Sequence, residues 1–414
     1  MTNYKTIIML KTITDQKKID EVLERGVEQV LPDKPSLKKI LMSGKRIKLY
    51  QGFDPTGINL HIGHLTGLRK LRQFQDLGHE VVFLIGDGTG QAGDPSGKTK
   101  SREKYFNKTE LRENAKGYLR QAGKVLRFSG KNKVRIIFNS KWLNKLKLTD
   151  ILDIAENFSL QQLSERDIFR RRIKEGESVN LREFLYPLLQ GYDSVAMGVD
   201  LEIGGSDQLF NMLAGRTLVK RYLNKEKFVL TTPLITDSSG RKIGKTEGNV
   251  MGISDFPGDL FGKIMSLSDE LLIPMFENLT DTPINELLEM KMGMEVGSLN
   301  PKDAKERLAW EIVKDLNSAK EADDAQENFR RVFGSGGVPE DIDVALVEHG
   351  SQIREILVSS KLISSNTEFL RLLNEGAIRL IGEEEIALDD PKFKVVFPVV
   401  IKVGKKRFLK IELK

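Results

Sequence analysis

Two histidines three residues apart, His61 and His64, enclose Ile62 and Gly63 in a chain with only four histidines. They follow a short apolar run and a Gly52/Pro55/Gly57 loop, and they precede a helical pattern. A helix start offers unpaired N–H groups and the positive end of the helix dipole, which together favour phosphate. Gly63 lets a ligand come close to the backbone. Two neutral imidazoles can each donate to a phosphate oxygen, so the turn reads as a site for a nucleotide polyphosphate. A second cationic segment, Lys242-Ile-Gly-Lys-Thr246, lies between Asp237-Ser-Ser-Gly240 and Gly248-Asn249. Two lysines and a hydroxyl on a glycine-flanked loop suit a clamp on a polyphosphate.

Other phosphate-like patterns fail on their surroundings. Gly88-Thr-Gly-Gln-Ala-Gly93 has dinucleotide-type spacing, but Asp94-Pro95 follows where a helix would have to open. The Gly-Lys-Thr triplets at 97–99 and 244–246 lack the preceding glycine of a P-loop; Ala92 and Ser239 stand there. His79 and His349 add no zinc spacing, and the chain has no cysteine. Tyr186, Gln190 and Asp193 fall at i, i+4 and i+7, one face of a helix. By spacing alone that face could equally be an amphipathic surface with incidental polar residues.

The elements that would hold these groups follow from periodicity. Residues 14–44 read as helical and amphipathic, with Ile19, Val22, Leu23 and Val27 on one stripe. Ile47–Tyr50 reads as a short buried strand. Leu65 to Leu77 repeats apolar residues every three and stops at Gly78. Val81–Ile85 is a continuous apolar run, as in a parallel strand covered on both faces. Strand, loop, helix, strand is a βαβ unit, which predicts an α/β fold with a doubly wound parallel sheet. Further strands are expected at 134–138 and 199–203, with helical stretches over 109–127 and 149–195. Residues 258–333 are helical in pattern with breaks at Pro283 and Pro301, and Gly334–Pro339 reads as a linker. Beyond it, 351–380 suggests two short helices and 391–414 suggests hairpins, a small α+β module.

Composition sets outer limits. Hydrophobic residues make up 39% and charged residues 30% of 414, an ordinary globular mix. No apolar run approaches the roughly 18 residues needed to span a bilayer, so no membrane role is expected. The apolar stretch at 6–10 is too short for a signal-peptide core. The absence of cysteine fits a reducing cytoplasm. Net charge is +6, and residues 391–414 alone carry eight Lys/Arg against Glu412. A tail of that kind suits a polyanionic partner or simple solubility.

The histidine turn and the Lys-Ile-Gly-Lys-Thr loop together resemble the paired signatures of the class I aminoacyl-tRNA synthetases. Tyr50-Gln-Gly-Phe-Asp-Pro55, Gly93-Asp-Pro-Ser-Gly97, Tyr186–Asp193 and Ile203-Gly-Gly-Ser-Asp-Gln208 extend the resemblance, within that class, to the bacterial tyrosyl branch. The likeness runs from about residue 40 to 335. It implies a Rossmann-like catalytic domain over 41–235 behind an N-terminal helical segment at 1–40, and a signature loop at 236–250. It further implies an α-helical domain at 251–335 and an S4-like RNA-binding domain at 345–414. The implied activity is ATP-dependent activation of L-tyrosine followed by transfer to the 3′ end of its tRNA.

The resemblance also implies roles. Tyr50 and Asp193 match the pair that binds the substrate phenol. Asp94, Tyr186 and Gln190, with Gln208 nearby, match the holders of the α-ammonium. Gly52 and Asp54 match the loop over the nucleotide, and Gly205 and Asp207 the ribose contacts. His61, Gly63, His64, Lys242, Lys245 and Thr246 match the groups around ATP and the departing pyrophosphate. In the C-terminal module, Arg371, Arg379, Lys405, Lys406 and Arg407 are the expected RNA contacts. Magnesium is expected to arrive with ATP, with no protein-bound metal or organic cofactor. A cytoplasmic homodimer is expected by the same likeness. Three alternatives stay open: a tryptophan-specific relative, a small-molecule nucleotidylyltransferase, and a non-catalytic RNA-binding derivative.

Overall fold

The computed structural model describes residues 11–96, 105–164, 167–236, 250–334, 342–381, 385–404 and 406–413. The chain forms two compact units, residues 1–322 and 323–414. The first is built on six strands: β1 (Gln29–Leu31), β2 (Lys48–Phe53), β3 (Glu80–Ile85), β4 (Arg135–Phe138), β5 (Leu201–Gly205) and β6 (Phe228–Thr232). Their spatial order is β1-β6-β5-β2-β3-β4. All neighbours run parallel except β1, which pairs antiparallel with β6. The chain moves from β2 outward through β3 to β4, then crosses back to place β5 on the other side of β2. Ligands of such sheets sit beyond the carboxyl ends of the strands, where the winding reverses. Here that point lies between β2 and β5.

Local chemistry explains the elements around it. Leu65, Leu68, Leu71 and Phe74 are fully or nearly fully buried and anchor the helix Ile62–Asp76 on the sheet. Gly78 follows with φ +89°, the left-handed geometry that ends such helices. Leu49, Val82, Phe83 and Ile85 are buried, as expected of strands covered on both faces. Phe53 and Phe83 stack across β2 and β3 with ring centroids 4.4 Å apart. The helix Leu181–Met197 opens on an Asn180/Glu183 capping box and ends at Gly198 in the left-handed region.

Two expectations need correction. Residues 14–44 are not one helical stretch: a helix at Gln16–Glu24 and another at Lys34–Met42 flank the edge strand β1. Gly26 at φ +60° breaks the first helix, and Asp33 caps the second. The strand expected at 199–203 runs from Leu201 to Gly205. In addition β6, which sits between β1 and β5, was not anticipated, although Phe228-Val-Leu-Thr-Thr232 is a buried, β-rich run. The breaks at Pro283 and Pro301 hold; Pro283 precedes the helix Ile284–Glu295 and Pro301 opens the next.

The second unit contains β7 (Val344–Val347), β8 (Ser351–Gln352), β9 (Ile378–Ile381), β10 (Glu385–Ala387), β11 (Lys394–Val395), β12 (Val399–Val403) and β13 (Arg407–Leu413). Helices at Ile353–Ser359 and Asn366–Asn374 cover a five-stranded sheet in the order β10-β9-β12-β13-β7. Leu357, Phe369, Ile378, Ile401 and Ile411 form its core.

Candidate active site

A cavity of about 410 Å³ opens at the switch point between β2 and β5. Tyr50, Gly52 and Asp54 reach it from β2 and the following loop, and His61, Gly63 and His64 from the turn after that loop. Asp94 comes from the loop after β3, and Tyr186, Gln190 and Asp193 from one face of the helix Leu181–Met197. Gly205, Asp207 and Gln208 come from the end of β5. Lys242, Lys245 and Thr246 lie outside the described residues. The chain on either side of them is placed: Ile235 lines the cavity, and Met251 O accepts from Ile62 N at 2.9 Å.

His61 is the N-cap of the helix Ile62–Asp76. Gly63 N donates to His61 Nδ1 at 3.2 Å, and His61 N donates to His64 Nδ1 at 3.1 Å. Each Nδ1 therefore accepts, which puts the proton of each neutral ring on Nε2. The rings lie 3.9 Å apart by centroid. The first helical turn carries no acidic side chain to offset the dipole. The backbone amides of residues 61–64 are all taken by acceptors within the protein, so the unpaired N–H groups expected from the sequence are absent; the turn presents the cavity with two imidazoles at the positive end of a helix.

The other end of the cavity is drier. Tyr50 and Asp193 are buried. Asp193 accepts from Trp142 Nε1 at 2.7 Å and from Asn139 Nδ2 at 3.0 Å. Burial pushes its carboxyl well above the ordinary range, against the pull of those two donors. Burial also pushes the Tyr50 hydroxyl up, helped by the negative charges of Glu202 and Asp193. The Tyr50 hydroxyl lies 2.9 Å from Ser194 Oγ. This is a small buried polar chamber able to take one hydroxyl from a ligand.

Between the two ends, Asp94 accepts from Gln208 Nε2 at 2.9 Å. Tyr186 donates to Asp54 Oδ2, and Thr89 to Asp54 Oδ1. A Cβ at Gly86 would fall 1.8 Å from Asp54 Oδ1, so glycine there leaves the carboxylate its place. Burial, then Asp54 and Asp94, raise the Tyr186 hydroxyl well above its usual range. Asp94 and Asp54 supply negative charge suited to an ammonium.

Sequence reasoning missed Asn139, Trp142, Thr89, Ser194 and Glu202. The first two had one legible signal, since they follow β4 at the carboxyl edge of a parallel sheet. In the second unit, Arg371 pairs with Glu375, Arg379 with Glu385, and Arg407 with Glu368 and the Leu362 carbonyl. Lys406 is exposed; Lys405 lies outside the described residues.

A family model described as tRNA synthetases class I (W and Y) matches residues 42–334. The tyrosine–tRNA ligase of Carboxydothermus hydrogenoformans is 40% identical over 412 residues, covering 96% of this chain and 98% of that relative. That of Methylococcus capsulatus is 41% identical, covering 94% and 98%. A C-terminally truncated mitochondrial tyrosyl-tRNA synthetase from Aspergillus nidulans aligns with a TM-score of 0.64 at 24% identity, over 76% of this chain and 94% of that one. Tyrosyl-tRNA synthetase from Archaeoglobus fulgidus, complexed with L-tyrosine, gives 0.59 at 19% identity, over 75% and 100%. The two structural likenesses speak for the Rossmann-like fold. The chain belongs to the class I tRNA synthetases of the W and Y family.

Proposed function

We propose that the chain activates L-tyrosine with ATP and transfers it to the 3′ end of its cognate tRNA. The observation that carries this reading is one cavity holding a buried Tyr50/Asp193 hydroxyl chamber at one end and the His61–His64 turn at the other. A tryptophan-activating relative would have no use for that chamber. The high-coverage relatives named tyrosine–tRNA ligase support the same choice.

In the first step a carboxylate oxygen of tyrosine attacks the α-phosphorus of ATP. An O–P bond forms, the bond to the β-phosphate oxygen breaks, and pyrophosphate leaves. A carboxylate is already ionised, so no general base is needed. The work is positioning and stabilisation of charge on the departing phosphates. His61 and His64 do this from Nε2, and the 242–246 segment is proposed to complete the clamp. Asp94, Tyr186 and Gln190 hold the ammonium, and Gly52, Asp54, Gly205 and Asp207 face the nucleotide. In the second step a ribose hydroxyl of tRNA attacks the acyl carbon and AMP departs.

Magnesium enters with ATP as part of the substrate. The second unit, with Arg371, Arg379, Lys406 and Arg407, is proposed to contact tRNA phosphates, and the working species to be a cytoplasmic homodimer. No described helix is long and apolar enough to cross a membrane. The test is exchange of labelled pyrophosphate into ATP, with tRNA charging alongside. Exchange should depend on tyrosine; exchange driven equally by tryptophan or phenylalanine would reject the reading.

A further inference from the structure

Behind the hydroxyl chamber lies a buried charge that the proposed reaction does not use. Glu202 on β5 and Lys227, just before β6, are 1% and 0% exposed and form an ion pair. Lys227 Nζ also donates to the Met212 carbonyl at 3.0 Å. A buried ion pair is an inefficient stabiliser, since well-packed apolar residues of similar volume do as well or better. Its other contacts point to a different role.

The register of β2 and β5 sets Tyr50 opposite Glu202, so both side chains lie on one face of the sheet. Glu202 Oε2 accepts from Ser194 Oγ at 3.4 Å, and Glu202 Oε1 accepts from Gln190 Nε2 at 3.0 Å. A carboxylate can only accept, so these bonds have fixed directions. Ser194 has a single proton, and Glu202 takes it. Ser194 Oγ must then accept from the Tyr50 hydroxyl, 2.9 Å away. With its proton spent inward, Tyr50 offers the ligand a lone pair. The same logic turns the Gln190 amide: its NH₂ faces Glu202, and its carbonyl oxygen, buried without a protein partner, is left for the cavity. Gly215 makes room, because a Cβ there would fall 2.5 Å from Lys227 Nζ and 2.8 Å from Ser194 Oγ.

We propose that Glu202, neutralised by Lys227, is the positioning residue that sets hydrogen-bond direction at both ends of the amino-acid pocket. Through Ser194 it makes Tyr50 an acceptor for a ligand hydroxyl, and through Gln190 it presents a carbonyl to an ammonium. This rests on the assignment of the pocket to tyrosine.

The experiment uses the full chain in pyrophosphate exchange, with three variants compared for tyrosine, phenylalanine and the deaminated analogue 3-(4-hydroxyphenyl)propionate as inhibitor. Tyr50→Phe is the reference for the hydroxyl assignment. Ser194→Ala breaks only the hydroxyl branch; it should lower the preference for tyrosine over phenylalanine by about 10-fold and leave the preference over the deaminated analogue unchanged. Glu202→Gln with Lys227→Met removes both charges at nearly constant volume. It should raise the tyrosine KM by about 10-fold and weaken both preferences, with the ATP KM unchanged. Unchanged selectivity in Ser194→Ala, while Tyr50→Phe loses it, overturns this inference alone. Unchanged selectivity in Tyr50→Phe overturns the hydroxyl assignment and the inference with it. A double variant that melts like the parent yet keeps the parental tyrosine KM also overturns it; if the double variant does not fold, Ser194→Ala decides.

Discussion

The two ends of the cavity are built from different materials. At the proposed amino-acid end the groups are side chains, buried and fastened: Asp193 by Asn139 and Trp142, Tyr50 by Ser194. At the proposed nucleotide end they are a helix terminus, two histidines fixed by backbone bonds, and glycines at 52 and 63 that are exposed. The contrast follows the task. Telling one hydroxyl from none requires polar groups that become costly when left unpaired, and that cost is large only in a dry site. Stabilising a leaving polyphosphate requires dipoles aimed at charge that develops late, which a helix start and neutral imidazoles supply without discriminating among bases.

The largest expected effect tests the dry end. Asp193→Ala removes the carboxyl and strands the Asn139 and Trp142 donors. We expect kcat/KM for tyrosine to fall by about 10³-fold, with the ATP KM nearly unchanged. Equal damage to the ATP KM would break the division between the ends. His64→Ala probes the other end: kcat for exchange should fall by about 10²-fold while the tyrosine KM stays within about twofold. Single-turnover adenylation at the parental rate would remove His64 from the site. Tyr50→Phe should cost about 10-fold in selectivity for tyrosine over phenylalanine, less than Asp193→Ala because it strands no buried donors.

The smallest effect on activity concerns a group remote from both ends. His79 precedes β3 and is buried, and burial, then Arg46, hold its ring down at about 4 against an ordinary 6.5. The unfolded chain takes up this proton near pH 6.5 and the folded chain near 4. The stability due to the neutral ring is complete above about 6.5 and is lost as pH falls toward about 4, a change of about 3 kcal/mol. Urea unfolding at pH 7 and pH 4.5 should show this slope for the first unit, and His79→Gln should flatten it with exchange at pH 7 unchanged. A His79→Gln variant with the parental slope would assign the acid sensitivity elsewhere.

Much of this arrangement was legible before any coordinates. The βαβ start, the stop at Gly78 and the position of the histidine turn at a helix start depend on residues close in sequence, where periodicity and helix-end chemistry act directly. The single face of Tyr186, Gln190 and Asp193 was visible as spacing, although its meaning was not. Illegible were β1, three residues between two helices, and the fasteners of the dry end. Asn139, Trp142, Ser194, Glu202 and Lys227 come from the edge of β4, a helix, β5 and the start of β6, and each is an isolated polar residue with no local pattern. Lys227 in particular reads as one more cation in a basic chain, but folding leaves it 0% exposed.

By itself the sequence determined which segments become helix or parallel strand and that two histidines stand at a helix start, because those properties arise within a few residues. Only the tertiary structure decided hydrogen-bond direction in the amino-acid pocket. That direction depends on an obligate acceptor, Glu202, held beside Tyr50 by strand pairing and kept from water by the same sheet that buries Lys227. Burial removes the solvent that would otherwise satisfy each group, so partners distant in sequence become the only ones available.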